Sequence, residues 1–283
     1  MFTQEQVEQF KRDGYAVYPN FLGADEVGAL LREIDEVTAG NTRANHDATR
    51  MEMEPNQPPD GTAVRRIYEP CSFYPVTRAL SELDRLLDCV EQFFGPNLVY
   101  HYSKTNMKPA EVGSVVEWHQ DLSYYPLTNR DSLAILFYLD DTRAENGALR
   151  MLPGWHHEVL MEHSRDGYFQ GRVTEAVDDA AAVTVEGEAG TAIFMHGLTP
   201  HASEPNASDK PRRTLILSYR AADAYPVYCG EMTHKTEVYA RLVRGTRARV
   251  ARFEMSEVPV PQYKDKIVSL YDLQERARGG ELK

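Results

Sequence analysis

The sequence predicts a mainly β protein with flanking α-helices. From about residue 98 onwards, short apolar runs alternate with turn residues such as Asn146-Gly147 and those at 188–190. Many short strands broken by Gly, Pro and Asn are typical of a β-sandwich or a β-barrel. Before residue 98, apolar residues recur instead at helical spacing. The length of 283 residues fits a single sheet-rich domain.

Residues 1–97 are predicted to form a helical support for this core. Thr3 and Gln6 have the spacing of a capping box, and Gly14 ends the first helix before a short strand at 15–18. Two further helices are expected at residues 25–37 and 75–94, where aliphatic side chains recur every three or four positions.

Residues 41–61 interrupt the helical pattern. This segment is polar, contains three prolines and has almost no aliphatic side chain. A structureless segment of about 20 residues in a compact chain is usually functional or disordered. We therefore predict a mobile loop near a functional site.

The predicted β core covers residues 98–220. Its strands are expected at residues 98–102, 115–119, 132–139, 148–151, 183–185, 191–195 and 214–219. Residues 221–283 have a mixed pattern and are predicted to be a C-terminal extension that packs on the core or reaches a partner. The whole chain is therefore predicted to be one domain, and the sequence leaves open whether it forms a homodimer.

Charge and hydropathy exclude several classes of function. The chain has 31 Lys and Arg against 43 Asp and Glu, a net charge of −12, whereas nucleic acids reward clustered basic residues. The longest strongly apolar run, at 133–139, is too short to span a bilayer, and the N-terminus has no secretory pattern. Three widely separated cysteines form neither a disulfide framework nor a CxxC metal site. We expect a cytoplasmic protein with a small-molecule substrate and with no nucleic-acid or membrane partner.

The segment 117–121 carries the first candidate metal ligands. His119 and Asp121 are two residues apart, so on an extended strand both side chains point to one face and can approach one ion. Far along the chain, residues 194–206 supply two more histidines, His196 and His201. Two histidines and one carboxylate on one face of a metal form the triad of non-haem Fe(II) oxygenases, which leaves positions open for a keto acid and for O2.

An arginine on the following strand fits the same chemistry. Arg212 and Arg213 directly precede the strand predicted at 214–219. The distal carboxylate of 2-oxoglutarate requires a buried cation, and the planar guanidinium of arginine binds a carboxylate through two hydrogen bonds.

Three phrases of the sequence resemble the phytanoyl-CoA dioxygenase family of Fe(II)/2-oxoglutarate oxygenases, which includes ectoine hydroxylase. They are residues 118–126 (WHQDLSYYP), residues 145–156 (ENGALRMLPGWH), and the pattern of His201-Ala-Ser203, Asn206 and Arg212. The resemblance extends from residue 10 to about residue 219. It implies a double-stranded β-helix, or jelly-roll, core similar to that of cupins. It also implies that conversion of 2-oxoglutarate and O2 to succinate and CO2 is coupled to hydroxylation of a C–H bond.

The resemblance also implies a role for individual residues. It makes His119, Asp121 and His201 the catalytic iron ligands. In the family, the arginine that binds 2-oxoglutarate follows the distal histidine by eleven residues. Arg212 has this spacing to His201 and not to His196, so His201 is the implied ligand. Further cofactor contacts are expected at the positions that match relatives: Thr214, Ser203, Asn106, Tyr102 and Phe137. Arg213 is expected to pair at the surface.

The substrate and the outcome of the reaction stay open at this stage. A small metabolite or natural product is favoured, and an acyl-CoA is the alternative, because the basic residues Arg65, Arg66, Lys104 and Lys108 look scattered. Desaturation or epoxidation would use the same cofactors. A cupin-type metalloenzyme that does not use 2-oxoglutarate is the competing reaction class. Retention of Asp121 favours hydroxylation over halogenation.

Overall fold

The computed structural model describes residues 1–111, 114–228, 230–266 and 269–282. In these ranges the helices are α1 (Gln4–Asp13), α2 (Ala24–Thr38), α3 (Pro70–Phe73), α4 (Pro75–Ser81), α5 (Asp84–Phe94), α6 (Glu231–Glu237) and α7 (Leu270–Gly279). The strands are β1 (Tyr15–Tyr18), β2 (Met51–Met53), β3 (Val64–Tyr68), β4 (Leu98–Lys108), β5 (Val116–His119), β6 (Ser132–Tyr138), β7 (Leu149–Met151), β8 (Ser164–Arg165), β9 (Tyr168–Phe169), β10 (Val183–Val185), β11 (Ala192–His196), β12 (His201–Ser203), β13 (Arg212–Ala221) and β14 (Arg241–Arg244).

Two antiparallel sheets face each other and form the core. The larger sheet has the strand order β1-β11-β6-β13-β4-β3-β2, with β14 also paired to β4, and the smaller sheet has the order β10-β7-β12-β5. Between them lies an apolar layer to which both sheets contribute, for example Leu136 and Ile216 from the larger sheet and Leu149 and Met151 from the smaller. The sheets do not close into a continuous barrel, so the core is a two-layered jelly-roll.

The opposite face of the larger sheet is covered by the N-terminal helices. Side chains alternate along β6, so that Ile135 and Phe137 point towards the helices while Leu136 points between the sheets. Aromatic rings dominate this outer layer, where Phe2 packs edge-on against Phe194 at 4.8 Å and Phe10 stacks on Phe93 at 4.0 Å. Burial of both faces explains why the central strands β6 and β11 are nearly continuous in apolar residues.

The first helix begins and ends as predicted. The Thr3 hydroxyl accepts a hydrogen bond from the backbone N–H of Gln6, the Gln6 side-chain oxygen accepts one from the backbone N–H of Thr3, and Gly14 ends the helix with φ of 80°. The single helix predicted over residues 75–94 is wrong, because α4 and α5 are separated at Glu82 and Leu83. The Ser81 carbonyl at this break accepts a hydrogen bond from the Tyr219 hydroxyl, a partner that is distant in sequence.

The segment at 41–61 is only partly a loop. It contains β2, which pairs with β3 at the edge of the larger sheet. Part of residues 221–283 also joins the core, since β14 pairs with β4 and side chains of α7 pack on the segment that follows β5. Cys71 and Cys89 are buried free thiols, whereas Cys229 lies outside the described residues. Within those residues, none of the helices has the length and apolar character required to cross a membrane.

Candidate metal centre

His119, Asp121 and His201 converge between the two sheets. β5 and β12 are antiparallel neighbours, and His119 lies directly opposite His201. Asp121 is not on the strand, as the predicted extended spacing required, but opens a short 3-10 turn after it. Gln120 between them keeps an extended backbone, so both side chains still reach the same point. One ligand atom from each of the three buried residues lies within 4.8 Å of the other two.

Hydrogen bonds orient both imidazoles with Nε2 towards the centre of this cluster. His119 Nδ1 is 2.8 Å from the Glu117 carbonyl oxygen and His201 Nδ1 is 3.0 Å from the Thr199 carbonyl oxygen, so each Nδ1 carries the proton. The two Nε2 atoms lie 3.9 and 4.0 Å from Asp121 Oδ1. Burial lowers the pKa of both histidines, which favours the neutral rings that bind metals. Two imidazoles and one carboxylate in this arrangement fit Fe(II).

Arg212 lies on the inner face of the larger sheet, beside the cluster. Its Nη1 donates to Thr214 Oγ1 at 2.8 Å and its Nη2 donates to the Gly147 carbonyl at 2.6 Å. Its Nε is buried and has no partner in the described part of the chain. A buried guanidinium with an unused donor and without a carboxylate partner is the binding group that a dicarboxylate cofactor requires.

The strands around Arg212 place polar side chains in two rows across the sheet. In one row, Arg66, Asn106, Thr214 and Tyr138 are successive cross-strand neighbours on β3, β4, β13 and β6. In the next row Lys108 lies opposite Arg212, and its Nζ donates to the carbonyls of Ser203 and Glu204. Burial, reinforced by the charge of Arg212, lowers the pKa of Lys108 to about 6. All of these residues except Thr214 and Glu204 line one narrow cavity, together with the three candidate ligands.

The structure therefore brings most of the predicted cofactor contacts together. Arg212, Asn106 and Ser203 line the narrow cavity, and Thr214 lies directly behind it, where its hydroxyl accepts a hydrogen bond from Arg212. Tyr102 instead lines a second, larger cavity that opens on Asp121. Arg213 forms an ion pair with Asp140, as expected for its position on the other face of the strand.

Phe137 does not line either cavity, so its placement as a cofactor contact requires correction. Its ring is fully buried on the outer face of the larger sheet, 5.7 Å from the ring of Phe21. Because side chains alternate along β6, the cavity face belongs to Ala134, Leu136 and Tyr138. The resemblance placed the aromatic position one residue too early, and the two-residue period of the strand indicates Tyr138.

The position of Phe137 on the outer face of the larger sheet has measurable consequences. Phe137→Ala should destabilise the fold by about 3 to 5 kcal/mol, as expected for removing a buried aromatic ring, in urea unfolding experiments. Phe137→Leu retains more of the packing, and this variant should show a KM for 2-oxoglutarate close to that of the parent protein. A large rise in that KM for Phe137→Leu would contradict the placement on the outer face.

Other residues of the site were not identified from the sequence. Tyr138 donates its hydroxyl proton to the Val185 carbonyl, and the carbonyl of Gly147 anchors Arg212. Tyr271, from α7, lines the narrow cavity and stacks on Arg65 at 3.8 Å. The competing histidine, His196, lies outside the cluster and packs 5.2 Å from the ring of His156.

Comparison with known proteins identifies the family. A model of the phytanoyl-CoA dioxygenase (PhyH) family matches residues 10–214. The chain belongs to this family. Its similarity extends to solved structures, among them EctD from S. alaskensis with 2-oxoglutarate and 5-hydroxyectoine, at a TM-score of 0.65 and 26% identity, over 78% of this chain and 77% of EctD. The prediction of a mainly β, jelly-roll core with flanking helices is thereby confirmed.

Two curated relatives are similar to this chain over most of their length. A probable alpha-ketoglutarate-dependent hypophosphite dioxygenase of Stutzerimonas stutzeri is 32% identical over 238 residues, which cover 81% of this chain and 82% of that protein. A methylphosphonate hydroxylase of Gimesia maris is 26% identical over 219 residues, which cover 77% of this chain and 81% of that protein.

Proposed function

We propose that this chain is an Fe(II)- and 2-oxoglutarate-dependent dioxygenase that hydroxylates an unactivated C–H bond of a small molecule. The observation that carries the proposal is the buried His119, Asp121 and His201 cluster with Arg212 next to it. The competing reaction class, a metalloenzyme without 2-oxoglutarate, leaves the unpaired Nε of Arg212 without a role.

Each residue of the site has a physical task in this reaction. Bound Fe(II), with 2-oxoglutarate and O2, supplies the oxidising chemistry that places a hydroxyl group on the substrate and releases succinate and CO2. His119 and His201 would hold the metal through Nε2 and Asp121 through a carboxylate oxygen. The hydrogen bonds from the two Nδ1 atoms to backbone carbonyls fix the rings, so the ligand positions exist before the metal binds.

Arg212 and Thr214 would bind the distal carboxylate of 2-oxoglutarate. The bonds of Arg212 to Thr214 and to the Gly147 carbonyl fix the guanidinium, so little conformational entropy is lost when the carboxylate arrives. Asn106, Ser203 and Lys108 would complete the polar walls of the narrow cavity. This leaves the larger cavity, which also reaches Asp121, for the substrate.

The relatives support a small polar substrate. The names of the two curated relatives refer to hypophosphite and methylphosphonate, both small phosphorus oxyanions. We therefore propose a small metabolite, and not a CoA thioester, as the substrate.

The test is turnover of 2-oxoglutarate by the reconstituted protein. Protein loaded with Fe(II) under anaerobic conditions and then exposed to O2 and a metabolite library should release succinate, together with a product heavier by one oxygen atom in mass spectra. Protein loaded with Zn(II) is the control and should release none. If the Fe(II)-loaded protein neither binds 2-oxoglutarate nor releases succinate with any library compound, the proposed function is wrong.

A further inference from the structure

Two cations, Arg66, which is buried, and Lys104, which is partly buried, face the larger cavity without an ion-pair partner among the described residues. Arg66 on β3 and Lys104 on β4 both line this cavity together with Asp121. Arg66 lies opposite Asn106, and Lys104 is two residues before Asn106 on the same face of β4. The two cations are therefore diagonal neighbours on adjacent strands, close enough for one small anion to reach both.

Arg66 is buried but only partly satisfied. Its side chain is 4% exposed, and its Nε donates to Asn106 Oδ1 at 2.9 Å. Its Nη2 is buried and has no hydrogen-bond partner, and no carboxylate in the described ranges forms an ion pair with it. The remaining contacts are the faces of Tyr271, at 4.7 Å, and Tyr68, at 5.9 Å.

Lys104 is even less engaged. Within the described residues its Nζ forms neither a hydrogen bond nor an ion pair, and the ring of Tyr102 lies 5.5 Å from that atom. Burial, opposed by the charge of Asp121 and reinforced by that of Arg66, lowers the pKa of Lys104 to about 8, so most of this side chain is still charged at pH 7.

The adjacent residue Arg65 shows that the chain can neutralise a buried cation here. Arg65 is equally buried, and it pairs with Glu52, Glu54 and Glu275. The protein has 43 acidic residues, yet those described leave Arg66 and Lys104 unpaired. Glu69, an acidic residue of the same cavity, already accepts hydrogen bonds from Tyr100 and Ser103. An unpaired charge that is wholly buried, as at Arg66, or partly buried, as at Lys104, is costly unless a ligand compensates it.

The cavity is larger than a simple inorganic oxyanion requires. Its volume is about 630 Å3, and its walls include several aromatic and apolar side chains: Tyr68, Tyr102, Tyr124, Tyr125, Met232 and Tyr239. Cavities of this size usually hold ligands with a substantial apolar part and a few polar anchors. Because Asp121 also lines it, a ligand anchored at Arg66 and Lys104 extends beside the candidate metal centre.

We infer that Arg66 and Lys104 form an oxyanion subsite that binds the carboxylate or phosphonate group of an organic substrate and directs its apolar part along the tyrosine-lined wall. This inference rests on the proposed function and adds the class of substrate to it. Arg66 and Lys104 also border the narrow cavity, but they differ from Arg212 in lining the larger cavity, which Arg212 does not reach.

Binding of matched probes tests the subsite without requiring turnover. Benzylphosphonate, phenylacetate and uncharged 2-phenylethanol are titrated calorimetrically into the anaerobic Fe(II)- and 2-oxoglutarate-loaded protein. At least one acid should bind about tenfold or more tightly than the alcohol, and the tighter acid shows whether the site prefers phosphonate or carboxylate. Arg66→Gln and Lys104→Gln should each weaken that acid by about tenfold or more, and Arg66→Lys by less.

Parallel measurements separate this inference from the proposed function. Lys11→Gln, on the exposed surface of α1, is the control for removing one charge and should bind the acids like the parent protein. In the two glutamine variants the Kd of 2-oxoglutarate should change much less than the Kd of the acid, because the two residues only border the narrow cavity, and retained binding of 2-oxoglutarate also shows that the variants are folded. Equal binding of acids and alcohol, no binding of any probe, or variants that retain acid affinity would overturn the subsite alone. Loss of 2-oxoglutarate binding in the variants would assign the two residues to the cofactor instead, and its loss in the parent protein would overturn both proposals.

Discussion

Replacing Arg212 with glutamine should raise the KM for 2-oxoglutarate by about 100-fold or more, because a charged, bidentate partner of the distal carboxylate is lost. Arg212→Lys retains the charge but not the planar fork, and should recover only part of the affinity. The measurements are the KM from succinate release at saturating Fe(II) and the Kd of 2-oxoglutarate under anaerobic conditions. The substrate concentration is held constant, so that the effect is assigned to the cofactor.

The neighbouring residue provides a matched control. Arg213 is adjacent in sequence, carries the same charge and pairs with Asp140 away from the cavities. Arg213→Gln should leave the KM for 2-oxoglutarate within about twofold, since a partly exposed ion pair affects mainly stability. If the two arginine variants change the KM equally, Arg212 is not the group that binds the cofactor.

The largest expected effect is that of Asp121→Ala, which removes the carboxylate of the candidate triad. Succinate formation should fall by roughly three orders of magnitude or more, because the metal no longer has the coordination that supports the reaction. Fe(II) should also dissociate more readily, which elemental analysis after gel filtration measures independently of activity. Addition of 2-oxoglutarate should not restore turnover.

A substitution at a nearby acidic residue distinguishes the loss of a metal ligand from the loss of a negative charge. Glu117 precedes Asp121 by four residues, and its carboxylate pairs with Arg278. Its backbone carbonyl, which accepts the hydrogen bond from His119, is unaffected by substitution of the side chain. Glu117→Gln should therefore retain Fe(II) and activity, and a protein that loses iron equally in both variants would contradict the assignment of Asp121.

Local signals in the sequence were enough for several elements. The capping box at Thr3 and the glycine stop at Gly14 depend on residues within one or two turns, and the structure has both. The break between α4 and α5 could not be found in this way, because its stabilising partner, Tyr219, comes from a strand far along the chain. The segment at 41–61 likewise contains β2, which could not be predicted from local signals because it depends on its pairing with β3.

In the candidate site, too, some features could be predicted from the sequence and others could not. The HxD spacing and the family's eleven-residue interval between His201 and Arg212 can be read from the sequence, and the structure places the side chains of these residues together. The position of Phe137 required the direction of its side chain, and a shift of one residue along a strand exchanges the two faces of the sheet. Arg65 and Arg66 are adjacent in sequence, yet Arg65 forms ion pairs with three glutamates and Arg66 forms none with the described residues.

By itself, the sequence determined the mainly β class, the family resemblance and the chemistry available at His119, Asp121, His201 and Arg212. Those conclusions depend on residue types and short spacings, which the chain carries without folding. Only the tertiary structure decided that α7 helps to line both cavities, that Phe137 lies outside them and that Arg66 and Lys104 line them together. The physical reason is that burial, ion pairing and a common cavity depend on strands brought together from distant parts of the chain.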